Sequence, residues 1–203
     1  DLYPHAHLYA SIISETWKEQ LTKRKVSFTT SKLELLPFAV KLSRYYAPFL
    51  VHNIAYESFN LNDYDLVISN TSRFSHNVIT KPSTIHISYM HSPGRMFWMT
   101  NEYFKAESYG FLKPFKKLGR SFLSPFLAYE RMLDYTSAQR VDAFIANSEE
   151  IKKRISKFYK RDSVVVYPFI DVSKLSTTKH TSEDYFLIVT RLVAWKRVDL
   201  AIN

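Results

Sequence analysis

The chain has 203 residues, with 28 Lys and Arg against 19 Asp and Glu and a formal net charge of +9. With 46% hydrophobic and 16% aromatic residues, it has the makings of a packed core rather than a disordered chain. The absence of cysteine excludes a disulfide framework, a thiol nucleophile and a thiolate metal site, and fits a reducing compartment.

No apolar run approaches the ~18 residues of a membrane span, and the first residues lack the layout of a signal peptide. The basic residues are spread along the chain without a nucleic-acid module, so the charge suits anionic lipids or phosphorylated substrates as readily as nucleic acid.

In chain order, the first sixty residues are aromatic and basic, and Pro37 and Pro48 interrupt any long helix. We expect irregular helices and loops there. Asp65 to Ser69 (DLVIS) reads as a buried strand and Thr84 to Tyr89 (TIHISY) as the next. The triplet Asp63-Tyr64-Asp65 has the form of a metal-holding DxD element. It lies at the entry of its strand, however, whereas sites form beyond the carboxyl ends, so we expect no metal there.

The second strand leads into His91-Ser92-Pro93-Gly94-Arg95, with Trp98 close behind. A histidine just past a strand tip suits a sugar hydroxyl or a phosphate, or serves only the structure of its loop. Arg95 and Trp98 offer an ion pair and a flat stacking surface, or else pin the loop to the core. Lys113 to Arg131 mixes cations with Phe and Leu, as an amphipathic helix on the protein's own core or on an anionic membrane would.

Val141 to Ala146 (VDAFIA) is a third strand. The helix after it has Ile151, Ile155, Phe158 and Tyr159 on one face, and Asn147 or Ser148 to cap it. Ser163 to Tyr167 is the next strand. Residues 169–184 are polar and strand-free, a linker by composition. Tyr185 to Thr190 then opens a new unit, with Arg191 at its strand tip and Lys196 at the start of a helix. Two permanent cations beside free helix N–H groups suit a diphosphate, or are two solvated surface charges.

Strands alternating with helices predict an α/β fold with a parallel sheet covered by helices on both faces. The chain begins at Asp1 rather than Met and ends barely into a helix, and its three glycines form no phosphate-cradling GxGxxG element. These features lead us to expect an internal piece, truncated at both ends.

Three stretches carry a family resemblance. Arg131 to Asp171 contains SAQRVDAFIANS, RISKFY and YPFID. HSPGRMFW spans His91 to Trp98, and YFLIVTRLVAWKRVDLAI spans Tyr185 to Ile202. Together with YDLVIS (Tyr64 to Ser69) they fall in the order found in bacterial glycosyltransferase family 4 enzymes, which the chain resembles over about 140 residues. Mannosyltransferases of that family are the nearest in pattern.

The resemblance implies a GT-B fold of two Rossmann-like domains facing across a cleft. Residues 1–168 would be the acceptor-side domain, incomplete at its start, and 185–203 the opening of the donor domain. It implies no metal and no cofactor, with a nucleotide diphosphate sugar as donor substrate, GDP-mannose being the leading guess. Arg191 and Lys196 would hold the donor diphosphate, His91 would face the donor sugar as the catalytic residue, and Arg95 and Trp98 would line the acceptor side of the cleft.

The partners implied are the nucleotide sugar, a saccharide or lipid-linked acceptor and a peripheral contact with the inner face of the cytoplasmic membrane, with no nucleic acid. The sequence departs from the family pattern at Leu133, where a Trp is usual, at Phe169 in place of a second proline, and at Met99 in place of an Asp. The rival reading is a non-catalytic basic module that binds anionic membrane or nucleic acid.

Overall fold

A computed structural model of the chain describes residues 3–46, 49–106, 116–172, 184–190 and 196–202. The first sixty residues are more regular than their composition suggests. They form β1 (Leu8–Ala10), α1 (Glu15–Lys23), β2 (Phe28–Thr30), a 3-10 turn over Lys32–Leu35, α2 (Ala39–Tyr46) and α3 (Val51–Glu57). β1 and β2 pair in parallel, Leu8 opposite Phe28. Three-residue strands are too short to print an alternating pattern, which is why the sequence reads as loop there.

The main sheet has four parallel strands in the order β3-β4-β5-β6. These are β3 (Leu66–Thr71), β4 (Ile85–Met90), β5 (Ala143–Ala146) and β6 (Ser163–Val165), each within two residues of its expected start. Between β4 and β5 run α4 (Arg95–Trp98), α5 (Thr100–Ala106) and the 24-residue α6 (Lys116–Gln139). α7 (Glu149–Tyr159) joins β5 to β6. α6 runs through Pro125, whose missing N–H removes one intrahelical bond. The Lys113 to Arg131 stretch is helical from Lys116 onward; residues 113–115 lie outside the described residues.

Register assigns the faces. Ser69, Thr71, His86, Ser88, Met90, Phe144 and Ala146 lie on one side, and the buried side chains of α7, Ile151, Ile155 and Tyr159, close over it with Ala138 and Val141. The predicted α7 face is the observed one, and Ser148 rather than Asn147 caps the helix by accepting a hydrogen bond from the Ile151 N–H. On the opposite side, Ile68, Ile85 and Val164 are each more than half exposed. Among the described helices, α7 packs on the first side.

β3 is an edge strand. Between it and β1 runs an apolar groove of about 710 Å³, lined by residues such as Leu8, Tyr9, Leu66 and Ile68.

Tyr185–Thr190 is exposed and makes no strand among the described residues. A strand is defined by the neighbour it bonds, and none of the described strands lies beside it. Most of the expected linker, 173–183, lies outside the described residues. α8 (Asp199–Ile202) begins three residues after Lys196, later than the sequence suggests.

Candidate functional site

The carboxyl ends of β3, β4 and β5 gather the polar residues expected of a ligand crevice in a parallel sheet. β3 ends at Asn70-Thr71, β4 runs into His91, and β5 runs into Asn147-Ser148. His91 is exposed and its ring is held. Its backbone N–H donates to the Thr71 carbonyl at 2.8 Å, and Nε2 lies 2.5 Å from Asn70 Oδ1. The Tyr89 ring meets it edge-on, with centroids 5.3 Å apart. Tyr89 is in turn fixed by donating its hydroxyl hydrogen to the Val166 carbonyl.

After His91 the chain turns at Pro93-Gly94, both buried, and enters α4. Gly94 has no room for a side chain, because a Cβ there would stand 2.6 Å from the Phe97 ring. That ring is fully buried among Phe74, Met96 and Leu127. The turn therefore places His91 and Arg95 on either side of a fixed hinge, with Arg95 exposed at the start of α4.

Trp98 is tied down. Its indole donates to Asp134 Oδ2 at 2.6 Å, and its ring stacks on Phe158 at 5.0 Å and 16°. This arrangement pins the loop to the core. The indole's remaining surface faces a cleft of about 360 Å³ shared with Met99, Lys153 and Lys157, along α7.

Of the expected diphosphate pair, Arg191 lies outside the described residues. Lys196 is exposed ahead of α8. Asp63 and Asp65 are exposed at the amino end of β3, away from the strand tips. Among the described residues no group of three His, Asp or Glu side chains is arranged to hold a metal ion.

Beneath the strand tips lies a buried polar layer that the sequence did not reveal. Asp134 accepts hydrogen bonds from Trp98 and Tyr159 on one oxygen, and His76 Nε2 lies 3.3 Å from the other, within ion-pair range but out of hydrogen-bond alignment. Burial and the neighbouring Asp134 carboxylate push the Tyr159 hydroxyl up from its ordinary value. Glu130 accepts from the Asn53 side chain and from the Leu50 backbone N–H, and Asn53 accepts from Asn77. Burial pushes Glu130 up to about 7. His86, fully buried and bonded to Ser69, is pushed down to about 4 by burial, with the nearby His76 adding to the effect. These residues are scattered over the chain, and only the fold brings them together.

Parallel strands flanked by helices, with polar residues at their carboxyl ends, fit a Rossmann-like half of a GT-B fold. The family model of Glycosyltransferase Family 4 matches residues 9–174, and the chain belongs to that family. Comparison with curated proteins and with solved structures returns no match.

Proposed function

We propose that the protein works in a retaining glycosyltransferase that moves a hexose, in the first instance mannose, from a nucleotide diphosphate sugar to a saccharide or lipid-linked acceptor in surface polysaccharide synthesis. The family match over 9–174 is the observation that carries this reading. His91, held beside Asn70 at the tip of β4, supports it. GDP-mannose is the first donor to try.

In this reading the bond from the sugar's anomeric carbon to the diphosphate oxygen breaks as the acceptor oxygen bonds to that carbon on the same face. The acceptor's proton passes to the departing phosphate. Negative charge builds on the diphosphate, and Arg191 and Lys196 would stabilise it without a metal ion. Removing one cation aimed at developing charge costs roughly 10²–10³ in rate. Arg95 would lie on the acceptor side.

The test is turnover of a panel of nucleotide sugars by the protein from the complete reading frame, beside its Arg191→Ala and Lys196→Ala variants. Loss of turnover in both variants supports the reading. Wild-type rates in both would overturn it.

The reading places the enzyme in the cytoplasm, on the inner face of the membrane. No helix among the described residues is long and apolar enough to cross a bilayer, so this contact would be peripheral. Phe122 is 64% exposed on α6 and packs against Phe126, which in turn meets Phe49. An exposed aromatic cluster on a helix that begins Lys116-Lys117 suits an anionic surface. Salt-resistant indifference to vesicles of anionic phospholipid would remove the membrane from the proposal.

A further inference from the structure

Asn70 has no assigned role, and it stands where His91 would need a partner. Residues 70, 89 and 91 share one side of the sheet, since Asn70 lies opposite Tyr89 in the register and His91 follows two residues on. The strand beneath Asn70 is itself anchored, because Ser75 donates its hydroxyl hydrogen to the Asn70 carbonyl at 3.0 Å. The backbone that carries the carboxamide is therefore anchored, and the carboxamide meets an exposed ring.

The chemistry of the contact is directional. A carboxamide oxygen only accepts, so an imidazole nitrogen 2.5 Å from it must be the one that carries hydrogen. Neutral histidine has one such nitrogen, and its other nitrogen then presents a lone pair. Tyr89, edge-on to the ring, limits its rotation.

We propose that Asn70 is the positioning residue of His91. It holds the ring as the Nε2–H tautomer, so that Nδ1 accepts a hydrogen bond from a hydroxyl group of the bound sugar. The ligand class is a polyhydroxylated ring that donates to Nδ1; a sugar without a donor at that position, deoxygenated or O-methylated, is refused. This deepens the glycosyltransferase reading and rests on it for the identity of the hydroxyl, while the tautomer stands on the geometry alone.

The experiment has two arms. The first records the ring nitrogens of His91 by ¹⁵N NMR at a pH where the ring is neutral, in the wild-type chain and in Asn70→Ala and Asn70→Asp. The expected wild-type signal is protonated Nε2 and bare Nδ1. Asn70→Ala should give a mixture of tautomers, and Asn70→Asp, which keeps an acceptor at the same place, should restore the single form. A wild-type ring protonated on Nδ1, or an Asn70→Ala ring unchanged from wild type, overturns the proposal.

The second arm measures transfer by the complete enzyme. Asn70→Ala should lower kcat by roughly tenfold or more, as losing an oriented hydrogen bond of about 1.4 kcal/mol would, with Asn70→Asp recovering most of it at the same pH. A structural role would not be rescued in this way, and circular dichroism separates misfolding from mispositioning. If wild type transfers no sugar while the tautomer result holds, the glycosyltransferase reading falls and the positioning of His91 stands.

Discussion

The indole N–H of Trp98 donates to Asp134 at 2.6 Å, and the Tyr159 hydroxyl donates to the same carboxylate oxygen at 2.8 Å. One buried acid on α6 thereby ties the loop after β4 to α7. Its neighbours cannot turn to water when it is removed, since Asp134 is 2% exposed and Tyr159 fully buried.

Asp134→Ala should therefore destabilise the chain by about 3–5 kcal/mol, the usual cost of stranding buried partners of a charged group. Trp98→Phe keeps an aromatic ring to stack on Phe158 but loses the N–H and part of the indole, and about 1–3 kcal/mol is expected for the lost hydrogen bond. Urea denaturation with a common m-value measures both. Equal losses in the two variants would show that the Trp98 bond carries all of Asp134's contribution and that the Tyr159 bond adds none.

Two buried groups titrate against each other. Glu130, raised to about 7 in the fold, binds a proton that the unfolded chain releases above about 4.5, so its contribution to stability is complete below that pH and lost as pH rises to about 7. His86 runs the other way. Its folded value of about 4 lies below the unfolded 6.5, so its contribution is complete above 6.5 and lost as pH falls towards 4. Each slope is at most about 1.4 kcal/mol per pH unit for one proton. Over the shared window the two oppose, and the wild-type midpoint should be nearly flat as far as this pair determines it. Glu130→Gln should expose stability that rises with pH, and His86→Gln stability that falls with pH. Urea midpoints at several pH values between 4.5 and 6.5 decide the signs.

Gly94→Ala tests the turn that carries His91. The added methyl group meets the buried Phe97 ring at 2.6 Å, and overpacking of this kind costs about 1–3 kcal/mol. Any displacement of the hinge also moves His91 and Arg95. The expected result is a lower thermal midpoint together with a shifted His91 ring signal. An unshifted signal would mean that the loop absorbs the methyl without moving.

Ser148→Ala removes the acceptor for the Ile151 N–H at the start of α7, at a cost of about 1 kcal/mol. Hydrogen exchange at the amide of Ile151 should accelerate more than exchange at the last turn of the helix. Uniform acceleration would place the loss in global stability rather than in the cap.

The strands of the main sheet were legible because each is a short run holding at least two of Ile, Val and Phe, and α7 because Ile151, Ile155, Phe158 and Tyr159 recur on one face. β1 and β2 were not, since each spans three residues. The candidate site was legible at His91, whose place after β4 follows from strand prediction alone. Asn70 escaped notice because a strand's last polar residue looks like any solvated turn residue until the neighbouring strand's register sets it beside the histidine. In the sequence Trp98 could be a sugar platform or a pin for its loop, and the fold uses it as the pin. Its partner Asp134 is 36 residues away, on a helix whose packing no local pattern specifies.

The open flank of β3 has a practical consequence for work at the bench. From Leu66 to Thr71 its outer backbone groups lack a neighbouring strand among those described, and Ile68 in the adjoining groove is more than half exposed. Such a margin is a template for any extended chain that meets it, copies of itself included. Stocks of this 203-residue chain should cloud with concentration and with time, and a charged replacement there, Ile68→Lys, should keep them clear while leaving His91 and its surroundings unaltered.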